Sequence, residues 1–298
     1  MKHIHHLEDL IFFHPYEVVN EFISALRFNL QGESIGDLKI KVDGSPCVYW
    51  GDYDNRFFVS NKSYLNKDPV RYFSVDEIEK GKMPEPVKDK LIVLFNNLKI
   101  THRPGLVYGA ELLFSSRDRT SFQPNIIKYI PSVDISKYNL GLAIHSKFAY
   151  GTKVRTIGTY NIENVYCFPM EVDLPGIVPQ IMWDYSLTSY DVPSKIVASV
   201  HMKAVNKALR EGGFHDSPLR DDTKIVVSEL VDLKKDILEL LYKGRHNSYP
   251  CRMYIDNVKT THEGYVFSYG GITAKLVDRN VFSKANFNPE TSRGWSLT

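Results

Sequence analysis

The chain has 298 residues, 43% of them apolar, and 37 basic residues against 35 acidic ones give a net charge of +2. That length and composition support one large domain or two small ones around a sizeable core, and the near-balance of charge excludes long-range attraction of the whole molecule to nucleic acid, leaving only a local patch. The three cysteines, Cys47, Cys167 and Cys251, are odd in number, widely spaced and form no C-x-x-C pair; this predicts a reducing, cytoplasmic setting with no disulfide framework and no zinc. No run reaches the about 18 apolar residues of a membrane helix, and the start of the chain lacks a signal-peptide apolar region, so a soluble protein with no membrane partner is expected.

In chain order, His3, His5 and His6 lie on a charged start and are set aside as metal ligands. His14-Pro15-Tyr16 opens an amphipathic helix running to Leu26, with Val18, Val19, Phe22, Ile23 and Leu26 on one stripe. Alternating β-branched and aromatic residues predict a strand arriving at Lys41, a tight turn at Asp43-Gly44, a strand leaving through Trp50, and another at Arg56 to Ser60. A polar loop from Asn61 to Lys67 precedes a helical region over 75–98, interrupted by Pro84 and Pro86. Strands are expected at 106–113, 126–130, 140–145, 153–159 and 165–168, and helices at 192–211 and 224–243 closed by Gly212-Gly213 and Gly244. The first of these helices carries Ile196, Val197, Val200, Val205 and Leu209 as its apolar stripe, and the second Val227, Leu230, Leu233, Ile237, Leu240 and Leu241. The basic residues Lys203, Lys207, Arg210, Lys234, Lys235, Lys243 and Arg245 form either a solvated face or a surface for a polynucleotide. Residues 252–256 lead into two closing strands, 264–269 and 272–277.

Four charged positions stand at the ends or interiors of these strands: Lys41 in Lys41-Val42-Asp43-Gly44, Glu111 after Gly109-Ala110, Glu263 in His262-Glu263-Gly264-Tyr265-Val266, and Lys275 in Thr273-Ala274-Lys275. A Lys-x-Asp-Gly tetrapeptide alone arises by chance in roughly one chain in fifteen of this length. The order lysine, glutamate, glutamate, lysine carries more weight. It resembles the covalent nucleotidyltransferase superfamily of ATP-dependent DNA and RNA ligases and mRNA capping enzymes. His6 to Phe12 and the form Lys-x-Asp-Gly-x-Pro further resemble tailed-phage proteins regarded as ligases.

The resemblance implies an α+β nucleotidyltransferase fold, an ATP-grasp-like ligase adenylation domain with antiparallel sheets flanked by helices, over 1–298. It implies a helical insertion or subdomain at 185–250 and no C-terminal OB-fold, since too little chain follows the last strand for a five-stranded barrel. The implied activity is nucleotide-dependent ligation of 5′-phosphate to 3′-hydroxyl ends of a polynucleotide, RNA ahead of DNA, with ATP as donor and GTP open. An RNA-end guanylyltransferase and a non-catalytic nucleic-acid-binding protein of the same fold are the alternatives; for a phage-encoded protein the setting is the host cytoplasm. Lys41 would be the nucleophile and Lys275 the cation that lowers its pKa and holds phosphate oxygens. Asp43, Gly44, Lys62, Glu111 and Glu263 would bind the nucleotide, with Mg2+ at Glu263 and Glu111. Ile40 occupies a position where ATP-dependent ligases commonly carry an acidic residue that reads adenine, so base choice would fall to backbone groups. Pro46 replaces a polar residue, Ala110 separates Gly109 from Glu111, and Lys275 stands alone where many relatives have two lysines. Tyr138 or Phe148 would stack on the base, and Arg117 with Arg119 would hold a phosphate; packing and solvation are the competing readings.

Overall fold

The computed structural model describes residues 4–116, 120–154, 160–172, 187–211, 219–243 and 250–283. It is an α+β protein of three mainly antiparallel sheets with helices against them. One sheet joins β1 (His5–His6), β13 (Ile272–Leu276), β12 (Tyr265–Tyr269) and β2 (Asp37–Ile40), in that spatial order, with only the β1–β13 pair parallel. A second joins β4 (Arg56–Asn61), β3 (Cys47–Tyr53), β5 (Leu106–Phe114), β7 (Leu140–Ala149) and β8 (Thr152–Val154), with β9 (Val165–Cys167) also on β7. The third is β11 (Val258–Thr260), β10 (Cys251–Ile255) and β6 (Ile127–Pro131).

Strand alternation sorts side chains to opposite faces of the first sheet. In β2, Leu38 and Ile40 point into a core shared with α1 (Tyr16–Leu30), where Phe22 meets Phe267 edge-on at 5.1 Å. Lys39 and Lys41 take the other face. The second sheet has its own core under α2 (Val75–Lys80) and α3 (Glu85–Leu98), with Leu91, Leu94 and Leu98 buried and Phe57 edge-on to Phe95 at 5.3 Å. Pro84 caps α3 and Pro86 lies in its first turn, where missing amide donors cost nothing.

The predicted hairpin at Asp43-Gly44 does not form. β2 pairs with β12 and β3 pairs with β4 and β5, so 41–46 is a passage between two sheets. The tight hairpin is instead at Asp54-Asn55, both left-handed (φ 51° and 57°), joining β3 to β4 as primed turns do. The long helices are α4 (Lys195–Glu211) and α5 (Asp221–Lys243), and they pack into the core with α1 and the first sheet. The expected stripe on α4 is rotated: Val197 and Val200 are exposed, while Ala198, Val205 and Ala208 are buried. On α5 the apolar stripe is buried as its spacing predicts except at Leu240, which is half-buried, but Lys234 is buried with it and is no part of a nucleic-acid face. Gly212, Gly213, Gly244, Arg245, Arg117 and Arg119 lie outside the described residues.

Candidate active site

The face of the first sheet that carries Lys41 is set by its register. His6 lies opposite Lys275 across β1 and β13, Val266 opposite Lys275 across β12, and Lys39 opposite Val266 across β2. Paired positions share a face, so Lys275 and the Lys39–Lys41 row lie on one side of the sheet although their segments are far apart in the chain. Just beyond the paired part of β2, the Lys41 amide donates to the Gly264 carbonyl at 2.8 Å, which fixes the lysine beside the Glu263-Gly264 corner. Gly264 has φ +134°, and a Cβ there would run into the Leu276 carbonyl, so glycine is required where the two segments touch.

The Lys41 amine is buried and gripped by two carboxylates, Asp43 Oδ1 at 2.5 Å and Glu263 Oε1. Glu263 Oε2 accepts from the Asp43 amide at 3.1 Å and from the Tyr129 hydroxyl at 3.1 Å, so Glu263 ties the lysine to its own turn. Both of its oxygens therefore accept hydrogen bonds from protein donors. Asn125 supports the turn from outside, its amide donating to the Asp43 carbonyl at 3.2 Å. Gly44 lies against β5: an added Cβ would stand 2.5 Å from the Leu112 carbonyl and 2.8 Å from Glu111 Cβ. The Ser45 amide closes that contact on the Leu112 carbonyl at 2.8 Å.

The charges act on one another. Burial alone would lower the Lys41 pKa, but Asp43 and Glu263 outweigh it and the net direction is upward. Burial opposes ionisation of Asp43, yet Lys41 overcomes it and holds the carboxyl down at about 2. Glu263 goes the other way, pushed up to about 8 by burial and by the Asp43 charge. Lys275 is lowered, first by burial and then by Lys41, and among the described residues it has no ion-pair partner. Thus the depression expected for Lys41 from a neighbouring cation falls on Lys275 instead, because the two carboxylates stand closer to Lys41.

Glu111, half-buried on β5, is pushed up to about 7 by burial and by Asp43, against the opposing pull of Lys41, the Cys47 thiol and the Gly44 amide. Among the described residues, the group of three or more potential metal ligands is Cys47, Glu111 and His145, which takes in Glu111 and not Glu263. Lys62 is exposed at the start of a short 3-10 turn after β4, and its charge reaches Cys47. Ile40 does not face the cleft: its side chain is core, and its amide donates to the Met170 carbonyl at 2.8 Å. Tyr138 packs on Tyr166 at 5.7 Å and Phe148 lies edge-on to Tyr64 at 6.4 Å. Sequence reasoning missed Tyr129, Asn125, Cys47 and His145 as neighbours of the four charges. Tyr129 looked like any strand aromatic, and nothing in its spacing marks its hydroxyl as the partner of Glu263.

With this geometry in place, the chain was compared with known proteins. Residues 1–170 and 218–291 match a family described as a family of unknown function, DUF6267. The chain belongs to that family. The matched segments take in all four charged positions and α5, while α4 falls in the gap between them. No curated protein matches. Two solved structures are similar. One is the Naegleria gruberi RNA ligase with PPi, at a TM-score of 0.32 and 13% identity, covering 88% of this chain and 55% of the ligase. The other is a point mutant of that ligase with AMP and Mn, at 0.31 and 12% with the same coverage. The chain spans about half the length of that ligase. No helix among the described residues is long and apolar enough to cross a membrane.

Proposed function

We propose that the chain is a nucleotide-dependent polynucleotide ligase that works through a covalent lysyl-nucleotide. The observation that supports this best is a buried lysine amine held by two carboxylates beside a second lysine that has no ion-pair partner among the described residues. In the resting arrangement Lys41 is protonated and cannot attack. Glu263, hydrogen-bonded to it and raised to about 8, is the group that takes its proton. The freed Nζ attacks the α-phosphorus of ATP; an N–P bond forms, the P–O bond to pyrophosphate breaks, and pyrophosphate leaves. Lys275 balances the charge growing on the phosphoryl oxygens. Mg2+ enters as part of the triphosphate substrate, where it neutralises the departing pyrophosphate. A 5′-phosphate oxygen of the polynucleotide then takes the nucleotidyl group from Lys41, and a 3′-hydroxyl displaces AMP to make the new phosphodiester.

Glu111, which feels the charges of Asp43 and Lys41, and Lys62, whose charge reaches Cys47, would meet the ribose and phosphates. On this reading the chain is one nucleotidyltransferase domain, with 185–250 carrying the added helical segment. Incubation with α-labelled ATP or GTP, followed by denaturation, tests it directly: one label stays on the wild-type chain and Lys41→Ala keeps neither. A folded wild type that retains neither label ends the proposal. A panel of 5′-phosphorylated RNA and DNA, nicked and single-stranded, then identifies the strand that is joined.

A further inference from the structure

Cys47 opens β3 and lies directly opposite Glu111 of β5. On the other side of β5, the register with β7 shifts between Gly109 and Ala110, which face Ser146 and Ile144, so His145 is the extra residue of a β-bulge. Bulges re-aim a side chain out of the regular alternation. Here the imidazole is brought to the pair: His145 Nε2 is 3.7 Å from Cys47 Sγ and 4.0 Å from Glu111 Oε1, and the three ligand atoms all lie within 4.8 Å of one another. Metal–ligand bonds of about 2.0–2.3 Å at tetrahedral angles give ligand–ligand edges of roughly 3.3–3.8 Å, so small rotations bring this trio to bonding distance. His145 Nδ1 lies 2.8 Å from Ser146 Oγ. With its proton donated there, Nε2 keeps its lone pair for the trio, an anchoring common for metal-bound histidines.

We propose that Cys47, His145 and Glu111 form a three-ligand site for a zinc-class transition metal, with the fourth position left for water or substrate. One sulfur, one nitrogen and one oxygen donor suit zinc or cobalt far better than magnesium or calcium, which prefer all-oxygen shells. Burial with Lys153 and Lys39 nearby keeps His145 neutral, as a ligand must be. Burial and Glu111 push the Cys47 thiol up to about 12, against the weaker pull of Lys62; a bound cation reverses this by taking the thiolate. Thiolate and carboxylate together neutralise a divalent ion, so the loaded site carries no net charge beside the lysines near it. The absence of zinc expected from cysteine spacing does not bear on this site, because three separate strands supply its ligands. The site does not depend on the lysine chemistry, and a metal titration reads it whether or not the protein takes a nucleotide label.

The test uses the full, metal-stripped chain titrated with Co2+, then with Zn2+ as competitor. One equivalent of Co2+ produces a thiolate-to-cobalt charge-transfer band together with the intense visible bands of a four-coordinate site, and Zn2+ abolishes both. Co2+ held by histidines alone gives no thiolate band and does not imitate the signal. Cys47→Ser removes the charge-transfer band, and His145→Ala and Glu111→Gln each weaken Co2+ binding, with folding checked by circular dichroism. Ser146→Ala weakens it by about 10–100-fold. The proposal is overturned if the wild type gives no charge-transfer band, if the band survives in Cys47→Ser, or if His145→Ala and Glu111→Gln both bind Co2+ as tightly as the wild type.

Discussion

Two clusters, each of two acids and two bases, act on His6, and they do different things. In one, Glu8 and Asp9 of the 3-10 turn Leu7–Phe12 meet Lys234 of α5 and Arg279 beyond β13: Lys234 Nζ is 2.6 Å and Arg279 Nε 3.2 Å from Glu8 Oε1, and Arg279 Nη2 also donates to Asp9. In the other, Lys41, Asp43 and Glu263 are joined while Lys275 stands by. Burial, then Arg279, Lys234, Lys275 and Lys41, all lower the His6 pKa, which places that ring under the influence of both clusters. Ionisation is perturbed in each: Glu8 is held down against its burial by Lys234 and Arg279, Asp9 is pushed up by burial, Asp43 is low and Glu263 high. Perturbed ionisation therefore does not by itself mark a site. Access and pairing do. Side chains of the first cluster are at most 5% exposed and every charge meets an opposite one; at the second, Asp43 is 38% exposed and Lys275 has no ion-pair partner among the described residues. The first cluster fastens the N-terminal turn to α5 and to the segment after β13, and the second is partly exposed to solvent.

The largest effect that separates them is on stability. Lys234→Ala leaves Glu8 buried with one cation fewer, and removing one partner of such a pair costs about 3–5 kcal/mol. Urea denaturation should show this loss, while the fraction that remains folded should still take the nucleotide label at Lys41. A stable Lys234→Ala protein would mean that the cluster is not a fastener. Lys275→Ala should do the reverse. It removes a charge that has no ion-pair partner, so the urea midpoint should change little, whereas the labelling rate should fall by about 10²–10³-fold, as when one donor to developing charge is deleted. Unchanged labelling would leave Lys275 with no part in the chemistry.

The contrast also explains what could be read in the sequence. Lys41, Glu111, Glu263 and Lys275 were legible because strands advertise themselves by alternation, and a charge at the end of an apolar strand stands out. Both long helices followed from helical periodicity, whereas the α+β class came from the family resemblance and not from spacing. Lys234 was not legible: its neighbour Lys235 is exposed, and the partner that allows Lys234 to be buried is Glu8, 226 residues away. The Asp43-Gly44 hairpin failed for a related reason. A turn signal reports local backbone preference, but which strand Cys47 to Tyr53 joins is decided by pairing with Leu106–Phe114, and that carried the chain into another sheet. His145 depended on a bulge that a single strand cannot announce.

The smallest effect sharpens the comparison through pH. Burial and Asp43 push Glu111 up to about 7 from an ordinary value of 4.5, so the folded protein binds a proton there that the unfolded chain releases. The sign follows: this group's contribution is fully present below about 4.5 and is lost as pH rises through about 7, so at pH 8 an ionised Glu111 weighs against folding. Glu111→Gln keeps the size and polarity of the side chain and cannot ionise. With a chelator present to keep metal off the carboxylate, the variant should match the wild type near pH 4.5 and exceed it at pH 8 by about 1–2 kcal/mol, less than the full shift because the group is partly solvated. Denaturant titrations across that range measure the difference directly. A wild type whose stability does not fall relative to Glu111→Gln between those pH values would show that Glu111 ionises freely, and the cleft beside Lys41 would then be wetter and less able to hold a nucleotide against water than its burial implies.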